Sequence, residues 1–397
     1  MVPTATAMVA AVLLATRTAS SGATGQAASS AVGRAGGCKT AADCNLNGLC
    51  TAGMCSCDAP WTGSSCGALG YAPVPAPGPG PGGADIFNAS DPANTWGGPI
   101  VGPESDGKYH AFVPRYAAGA LFGAKHILHG TANAITGPYS WHTMTDVFGG
   151  INPAYLVFPN KSDGNRMVYS LWLKGKIHVA DSAAGPYRLL AGVSYPSGSN
   201  SNPAPMYHEG AFYITTQHTD TVWTRLSLDP GPDGTRSSDD PEAGWAEFGT
   251  ISHDRVPPGV VPEDPYLFVD RRGNWHIINH AYDVNQTTHC GSSALSTHFF
   301  SADGTTWRCS EVQPYGHTVR YIDGSNHTYT TLERPNLHFN KNGTITHLVL
   351  AADLQTGDEG CAARPWPRKG PGPYGPTACT NCKYADHAGT IVLALGG

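Results

Sequence analysis

From about Asp85 to Gly397 the apolar positions fall in short runs that alternate with polar ones, each run closed by Gly, Pro, Asn or Asp. A period of two marks half-buried strands, and no stretch of ~10 residues carries the 3.6-residue period of an amphipathic helix. The runs also repeat. An x-Pro dipeptide opens an apolar strand at Asn152-Pro-Ala-Tyr-Leu-Val, Asn202-Pro-Ala-Pro-Met-Tyr, Asp264-Pro-Tyr-Leu-Phe-Val and Arg334-Pro-Asn-Leu-His-Phe, at spacings of 50, 62 and 70 residues. A turn and a second strand follow each: Asn165-Arg-Met-Val-Tyr-Ser, Glu209-Gly-Ala-Phe-Tyr-Ile, Arg272-Gly-Asn-Trp-His-Ile and Asn342-Gly-Thr-Ile-Thr-His-Leu. This is a β-hairpin in four copies. A fifth precedes them, where Trp96-Gly-Gly-Pro-Ile-Val runs into Asp106-Gly-Lys-Tyr-His-Ala-Phe-Val, and a third-strand element recurs from His129, His178 and Thr297. Five units of about 50 to 70 residues predict an all-β, five-bladed propeller over 85–397, with four strands to a blade and the x-Pro motifs at the innermost-strand starts. Solenoid repeats of ~20 to 30 residues are too short to fit, and roughly 310 residues are too many for one sandwich.

Composition narrows the function. Only 14% of the 397 residues are charged, while 49 glycines and 32 prolines make up about a fifth of the chain, which disfavours a helical protein. The net charge of −6 and the absence of any Lys/Arg run longer than a pair exclude electrostatic binding of nucleic acid. No apolar run reaches the ~18 residues of a membrane span. The most apolar one, Ala7 to Ala15, is followed by small residues from Ala19 to Ala28 and reads as a signal peptide over 1–27, although no basic residue precedes it. The Pro-Gly alternation within Val74 to Gly83 sustains neither helix nor ladder bonding, so 67–84 is expected to be a linker.

Six of the 11 cysteines crowd into Cys38 to Cys66, with 5, 5, 4, 1 and 8 residues between them. A ~30-residue segment with almost no apolar core needs covalent staples, and six cysteines allow 15 pairings. Cys55-Ser-Cys57 followed by Trp61-Thr-Gly-Ser-Ser-Cys66 resembles the EGF-like module, and that resemblance implies the pairs Cys38–Cys50, Cys44–Cys55 and Cys57–Cys66. The acidic residues that accompany calcium in such modules are missing near Cys38, so no calcium is expected. Six ligands at these spacings also fit no four-coordinate zinc cluster. Five N-x-S/T sequons, at Asn88, Asn160, Asn285, Asn326 and Asn342, agree with a secreted glycoprotein. Of the other cysteines, Cys290 and Cys309 flank consecutive strands and are expected to pair. Cys361, Cys379 and Cys382 would then hold one bridge and one odd thiol.

The motifs Glu263-Asp-Pro-Tyr-Leu-Phe-Val-Asp-Arg-Arg-Gly-Asn-Trp-His and Glu333-Arg-Pro-Asn-Leu-His-Phe-Asn-Lys-Asn-Gly, with the Gly-Pro-Tyr strand ends, resemble the five-bladed propellers of glycoside hydrolase family 43, and more narrowly a secreted eukaryotic group joined to EGF-like modules. The likeness covers nearly all of the chain from Asp85. It implies a base aspartate in the first blade, a second aspartate in the third and a general-acid glutamate in the fourth. Carried over residue by residue, Glu263 is the candidate acid, with Asp91 or Glu333 as the second catalytic carboxylate. Asn202 departs from the pattern, because an amide carries no charge with which to raise a neighbouring acid. Asp264, Arg334, Asn152, Asn202, His280 and Trp96 complete the candidate substrate-binding set. In an extended strand Glu263 and Asp264 point to opposite faces, so only one of them is expected to face the channel.

The 17 histidines invite a metal reading that the spacing rejects. His276 and His280 lie ~13 Å apart on a strand, and His126 and His129 face opposite sides. No metal or cofactor is expected. Two functional classes remain: a secreted glycoside hydrolase acting on a polysaccharide or glycan, and a catalytically silent propeller that binds glycans, or extracellular proteins through the EGF-like module. Trp96, Trp172, Trp223, Trp245 and Trp275 are sugar-stacking candidates that a propeller core would equally use.

Overall fold

In a computed structural model of the chain, the described residues are 37–74, 94–116, 126–148, 152–173, 175–190, 195, 202–217, 220–226, 228, 244–283, 295–329, 331–353 and 388–396. Asp91, Asn88, Asn285, Cys290, Cys361, Cys379, Cys382, the signal-peptide segment and the Pro-Gly run lie outside them.

The architecture is an all-β, five-bladed propeller. Blade 2 runs Ala154–Asn160, Arg166–Leu173, Lys176–Ala180 and Arg188–Leu189, and blade 3 runs Pro203–His208, Ala211–Thr216, Thr221–Arg225 and Ala246–Thr250. Blade 4 runs Val260–Val269, Trp275–Asp283, Leu295–Ser301 and Arg308–Cys309. These three sheets have the expected four antiparallel strands in chain order. Blade 1 differs: its innermost strand is split into Asn94–Thr95 and Ile100–Val101, both paired with Tyr109–Tyr116, ahead of His126–Ala132 and Ser140–Phe148. Trp96, Gly97, Gly98 and Pro99 interrupt that strand because neither two consecutive glycines in the left-handed half of φ space nor a proline can extend a ladder. Blade 5 has three strands among the described residues, Leu332–Phe339, Ile345–Asp353 and Ala388–Ala394. A hairpin of Thr318–Arg320 and Asn326–Thr328 precedes it.

The first turn of every blade uses the same chemistry. Gly107, Asn165, Gly210, Gly273 and Gly343 all take positive φ there, where two strands must reverse within a few residues. An acidic or amide side chain then pins the loop: Asp270 Oδ1 accepts the Arg272 and Asn274 amides at 2.8 Å, and Asn340 Oδ1 accepts those of Asn342 and Thr344 at 2.9 and 3.0 Å.

The core lies between blades. Phe112 and Ile127 of blade 1 pack on Leu171 and Leu173 of blade 2, Trp172 and Ile177 on Phe212 and Ile214, and Ala204 and Met206 on Leu267 and Ile277. Phe268 and Ile278 pack on Leu332 and Leu348. Val349 and Val392 of blade 5 meet Ile100 and Ala111 of blade 1 and close the ring. A 2.9 Å hydrogen bond between the Thr95 and Thr390 hydroxyls spans the same seam.

Disulfides Cys38–Cys50, Cys44–Cys55 and Cys57–Cys66 staple the N-terminal segment. Its Trp61 stacks on His298 of blade 4 at 5.0 Å, and Asp58 pairs with Arg272 at 2.8 Å. The first part of the expected linker is structured instead. Leu69, Ala72 and Val74 donate to Pro314, Ala394 and Arg320 carbonyls, because the residues before the proline-rich run still carry N–H groups that can join a sheet edge. Cys309 is a buried free thiol whose Sγ lies 3.4 Å from the Ser310 carbonyl.

Candidate active site

The four x-Pro residues Asn152, Asn202, Asp264 and Arg334 occupy one structural position in blades 2 to 5, each with φ between 52° and 63°. Gly98, before Pro99, is their blade 1 counterpart at φ 141°. Asn and Asp tolerate the left-handed region because their short polar side chains bond locally, which explains three of the four. The turn they impose brings all five residues to the wall of the central cavity, about 310 Å³ in volume. Apolar strand residues such as Leu156, Leu267 and Phe339 line the rest of it.

The ring is tied together by its one acid. Asp264 Oδ1 accepts hydrogen bonds from Asn152 Nδ2, at 3.3 Å, and from Asn202 Nδ2. Its Oδ2 lies 3.8 Å from Arg334 Nε and 3.7 Å from His280 Nδ1. Arg334 Nη1 also donates to the Trp96 carbonyl at 3.4 Å, linking blade 5 to blade 1. The residues expected to bind substrate at these positions thus direct polar atoms to one another. The Arg334 guanidinium turns across the channel to Asp264. Trp96 is 2% exposed and offers no face to a sugar, and Trp172, Trp245 and Trp275 are likewise core.

Glu263 and Glu333 precede the ring residues of blades 4 and 5, do not line the central cavity, and keep 16% and 17% of their side chains exposed. One buried imidazole stands between them. His280 Nδ1 is 4.0 Å from Glu263 Oε2, and its Nε2 is 3.8 Å from Glu333 Oε1. Antiparallel pairing sets His280 directly opposite Glu263. The expectation that Glu263 and Asp264 face opposite ways does not hold, because the ladder slips between Glu263 and Tyr266 and Asp264 enters the left-handed region. That bulge abolishes the two-residue alternation and turns both carboxylates toward His280.

Burial raises the Glu263 carboxyl well above its ordinary value; Asp264 and Glu333 push the same way, and Arg334 opposes them. Burial raises Asp264 too, against Arg334 and His280. Burial lowers His280 to about 4, so the imidazole is neutral at physiological pH. Gln217 was not foreseen. Its Nε2 donates to Glu263 Oε1 while its Oε1 accepts from Asn202 Nδ2. The signal was present in the register: counting back across the Glu209-Gly210 turn from the Pro203–Thr216 pair sets Gln217 opposite Asn202. A cleft of about 280 Å³ between blades 3 and 4, lined by Thr215, Gln217, Asp220, Pro262 and Asn279, lies beside Glu263. Donor atoms of Glu263, Asp264 and His280 lie within 4.8 Å of one another, a set that can hold a cation. The sequons at Asn326 and Asn342 are exposed, and Asn160 is half-buried.

No family model matches the chain, and no curated protein does. Among solved structures it is similar to an α-L-arabinofuranosidase from Lactobacillus brevis, at 11% identity and TM-score 0.43 over 74% of this chain and 88% of that one. It is also similar to an endo-arabinase from Bacteroides thetaiotaomicron, at 11% identity and TM-score 0.42 over 77% and 95%. A protein of unknown function from Dyadobacter fermentans matches at 9% identity and TM-score 0.42 over 83% and 99%. At such identities the likeness is one of outline, and the functional reading rests on the side chains just described.

Proposed function

We propose that the protein is a secreted glycoside hydrolase-like propeller in which Glu263 is the general acid and Glu333 the base. The observation that carries the reading is the pair of largely buried carboxylates flanking buried His280, one of them, Glu263, raised by burial well above its ordinary value. Interposing one imidazole limits their separation to about 10 Å, compatible with the roughly 6.5–9.5 Å of an inverting mechanism. In that mechanism Glu263 protonates the glycosidic oxygen as the bond to the anomeric carbon breaks, and Glu333 takes a proton from the attacking water. The acid ends ionised and the base protonated; His280, between them, is placed to pass the proton back. The cleft beside Glu263 provides room for a sugar. Glu333 is assigned the base role because it lies across His280 from Glu263; Asp91, the other candidate base, lies outside the described residues. Disulfides and sequons support secretion.

A second reading, a silent glycan-binding propeller, is favoured by Gly98 and Asn202, which leave the ring without a carboxylate in blades 1 and 3. Incubation of the purified protein with a panel of neutral polysaccharides, followed by release of reducing ends and NMR of the first-formed anomer, separates the two. Hydrolysis with inversion, lowered about 10²- to 10⁴-fold by Glu263→Gln or Glu333→Gln, is the expected result. Glycan binding without turnover supports the silent propeller, and full activity in Glu263→Gln removes the acid assignment.

A further inference from the structure

Blade 1 holds a second cluster of titratable groups, remote in the fold from the central ring. Its residues form a chain. The Asp106 carboxylate lies 3.2 Å from His110 Nε2, His110 Nδ1 lies 2.8 Å from His129 Nε2, and His129 Nδ1 lies 3.3 Å from His142 Nε2. His110 and His129 are each 1% exposed, whereas His142, on the outer strand, is exposed.

The proton positions follow from one end. A carboxylate only accepts, so His110 Nε2 carries a hydrogen, and in the neutral ring His110 Nδ1 is left as an acceptor. Nitrogens 2.8 Å apart share one hydrogen, so His129 Nε2 must donate it, and His129 Nδ1 is left with a bare lone pair aimed at His142. A carboxylate that orients one histidine so that the next presents a lone pair is the outer-sphere arrangement that accompanies metal-ligating imidazoles.

The spacing fits as well. His129 and His142 are direct partners on adjacent antiparallel strands. Two nitrogens bound at 2.0–2.1 Å to a tetrahedral ion stand about 3.4 Å apart, against 3.3 Å here. The His129 ring is held flat against Phe112, 4.7 Å between centroids and 4° between planes, so its lone pair has a fixed direction. Blade 4 supplies an internal contrast. There Asp270, His276 and His298 repeat the chain at 3.5 and 3.0 Å, but Trp61 stacks over His298 and no exposed histidine follows among the described residues.

We propose that His129 Nδ1 and His142 Nε2 form a surface site for a divalent transition-metal ion of the zinc class, positioned by His110 and Asp106 and completed by solvent. Imidazole nitrogen suits such ions, and the exposed side of His142 leaves the remaining positions to water. Binding moves the His142 ring hydrogen from Nε2 to Nδ1 through solvent and needs no other proton. The spacing of His126 and His129 along one strand could not reveal this site, because the partner comes from the neighbouring strand.

Titration of the untagged, metal-stripped full chain with ZnCl2 at pH 7.5, followed calorimetrically, tests the proposal. One-to-one uptake with a micromolar Kd is expected, at least 10-fold weaker in His142→Ala. This exposed position lets the variant fold, as an unchanged melting temperature without zinc will show. Asp106→Ala, which removes the acceptor, is expected to weaken binding about 10- to 100-fold. No uptake at 1 mM zinc (about a thousandfold above the expected Kd) overturns the proposal. So does uptake that His142→Ala leaves intact and Glu263→Gln abolishes, which would place the ion at the central carboxylates. The result is independent of whether glycosides are hydrolysed.

Discussion

Asp264 is a backbone device and an electrostatic one at once. Its left-handed φ turns Glu263 and itself toward His280, and its carboxylate gathers Asn152, Asn202 and Arg334 from three other blades. Asp264→Asn keeps the turn and removes the charge, leaving the buried Arg334 guanidinium without its counter-ion. Stranding one member of a buried pair costs about 3–5 kcal/mol. Denaturant unfolding of Asp264→Asn should show a loss of that size, and the double variant Asp264→Leu with Arg334→Met a smaller one. Equal losses would mean that the charge pair matters less than the shape of the ring.

At the scale of elements, each blade supplies an innermost strand with a positive-φ break, and in blades 1, 4 and 5 an Asp or Asn side chain pins the first hairpin turn. The disulfide-stapled segment is an exception to propeller logic, since it has little core of its own and borrows one from blades 4 and 5 through Trp61, Leu69 and Val74. Trp61 is 7% exposed, and its ring covers His298. Trp61→Ala should therefore cost about 3–5 kcal/mol in equilibrium unfolding. It should also speed proteolysis between Cys66 and Val74, where the chain is held to the propeller by backbone bonds. Unchanged stability would show that the segment stands alone.

The whole molecule stores neutral histidines. Burial lowers His129 to about 3 and His280 to about 4, and depresses His276 and His298 as well. An unfolded histidine titrates near 6.5, so as pH falls below that value the unfolded chain takes up protons that the native state refuses. Their stabilisation is present above about 6.5 and is lost progressively toward 4. At pH 5 the loss is about 2 kcal/mol each for His129 and His280, and His276 and His298 add to it in the same direction. Glu263 and Asp264, raised in the native state, act in the opposite sense: their contribution is full below the ordinary carboxyl range and declines as pH rises. His178, His327, His338 and His347 are lowered by burial as well, and Glu104 joins the raised carboxyls, so the histidines outweigh the acids and the protein should be less stable at pH 5.0 than at 7.5, measurable as a lower melting temperature. Equal values at the two pH values would contradict the burial of these rings.

What was legible in the chain was whatever local rules determine. Alternation, turn residues and the recurrence of x-Pro gave the propeller and its blade count, because strand period and turn chemistry are properties of a few adjacent residues. The same reading brought Glu263 and Glu333 into one list, since innermost-strand starts must converge, whereas His280 sits on the second strand of blade 4 and entered the list separately. It failed where geometry depends on neighbours in space. The bulge at Asp264, the reach of Arg334 to another blade, the burial of Trp96 and the docking of residues 69–74 all follow from packing between blades, which no local pattern encodes. The pairing of His129 with His142 is of the same kind: a cross-strand register, set by the turn from Ala132 to Ser140 and by the inter-blade core, decides which imidazoles meet.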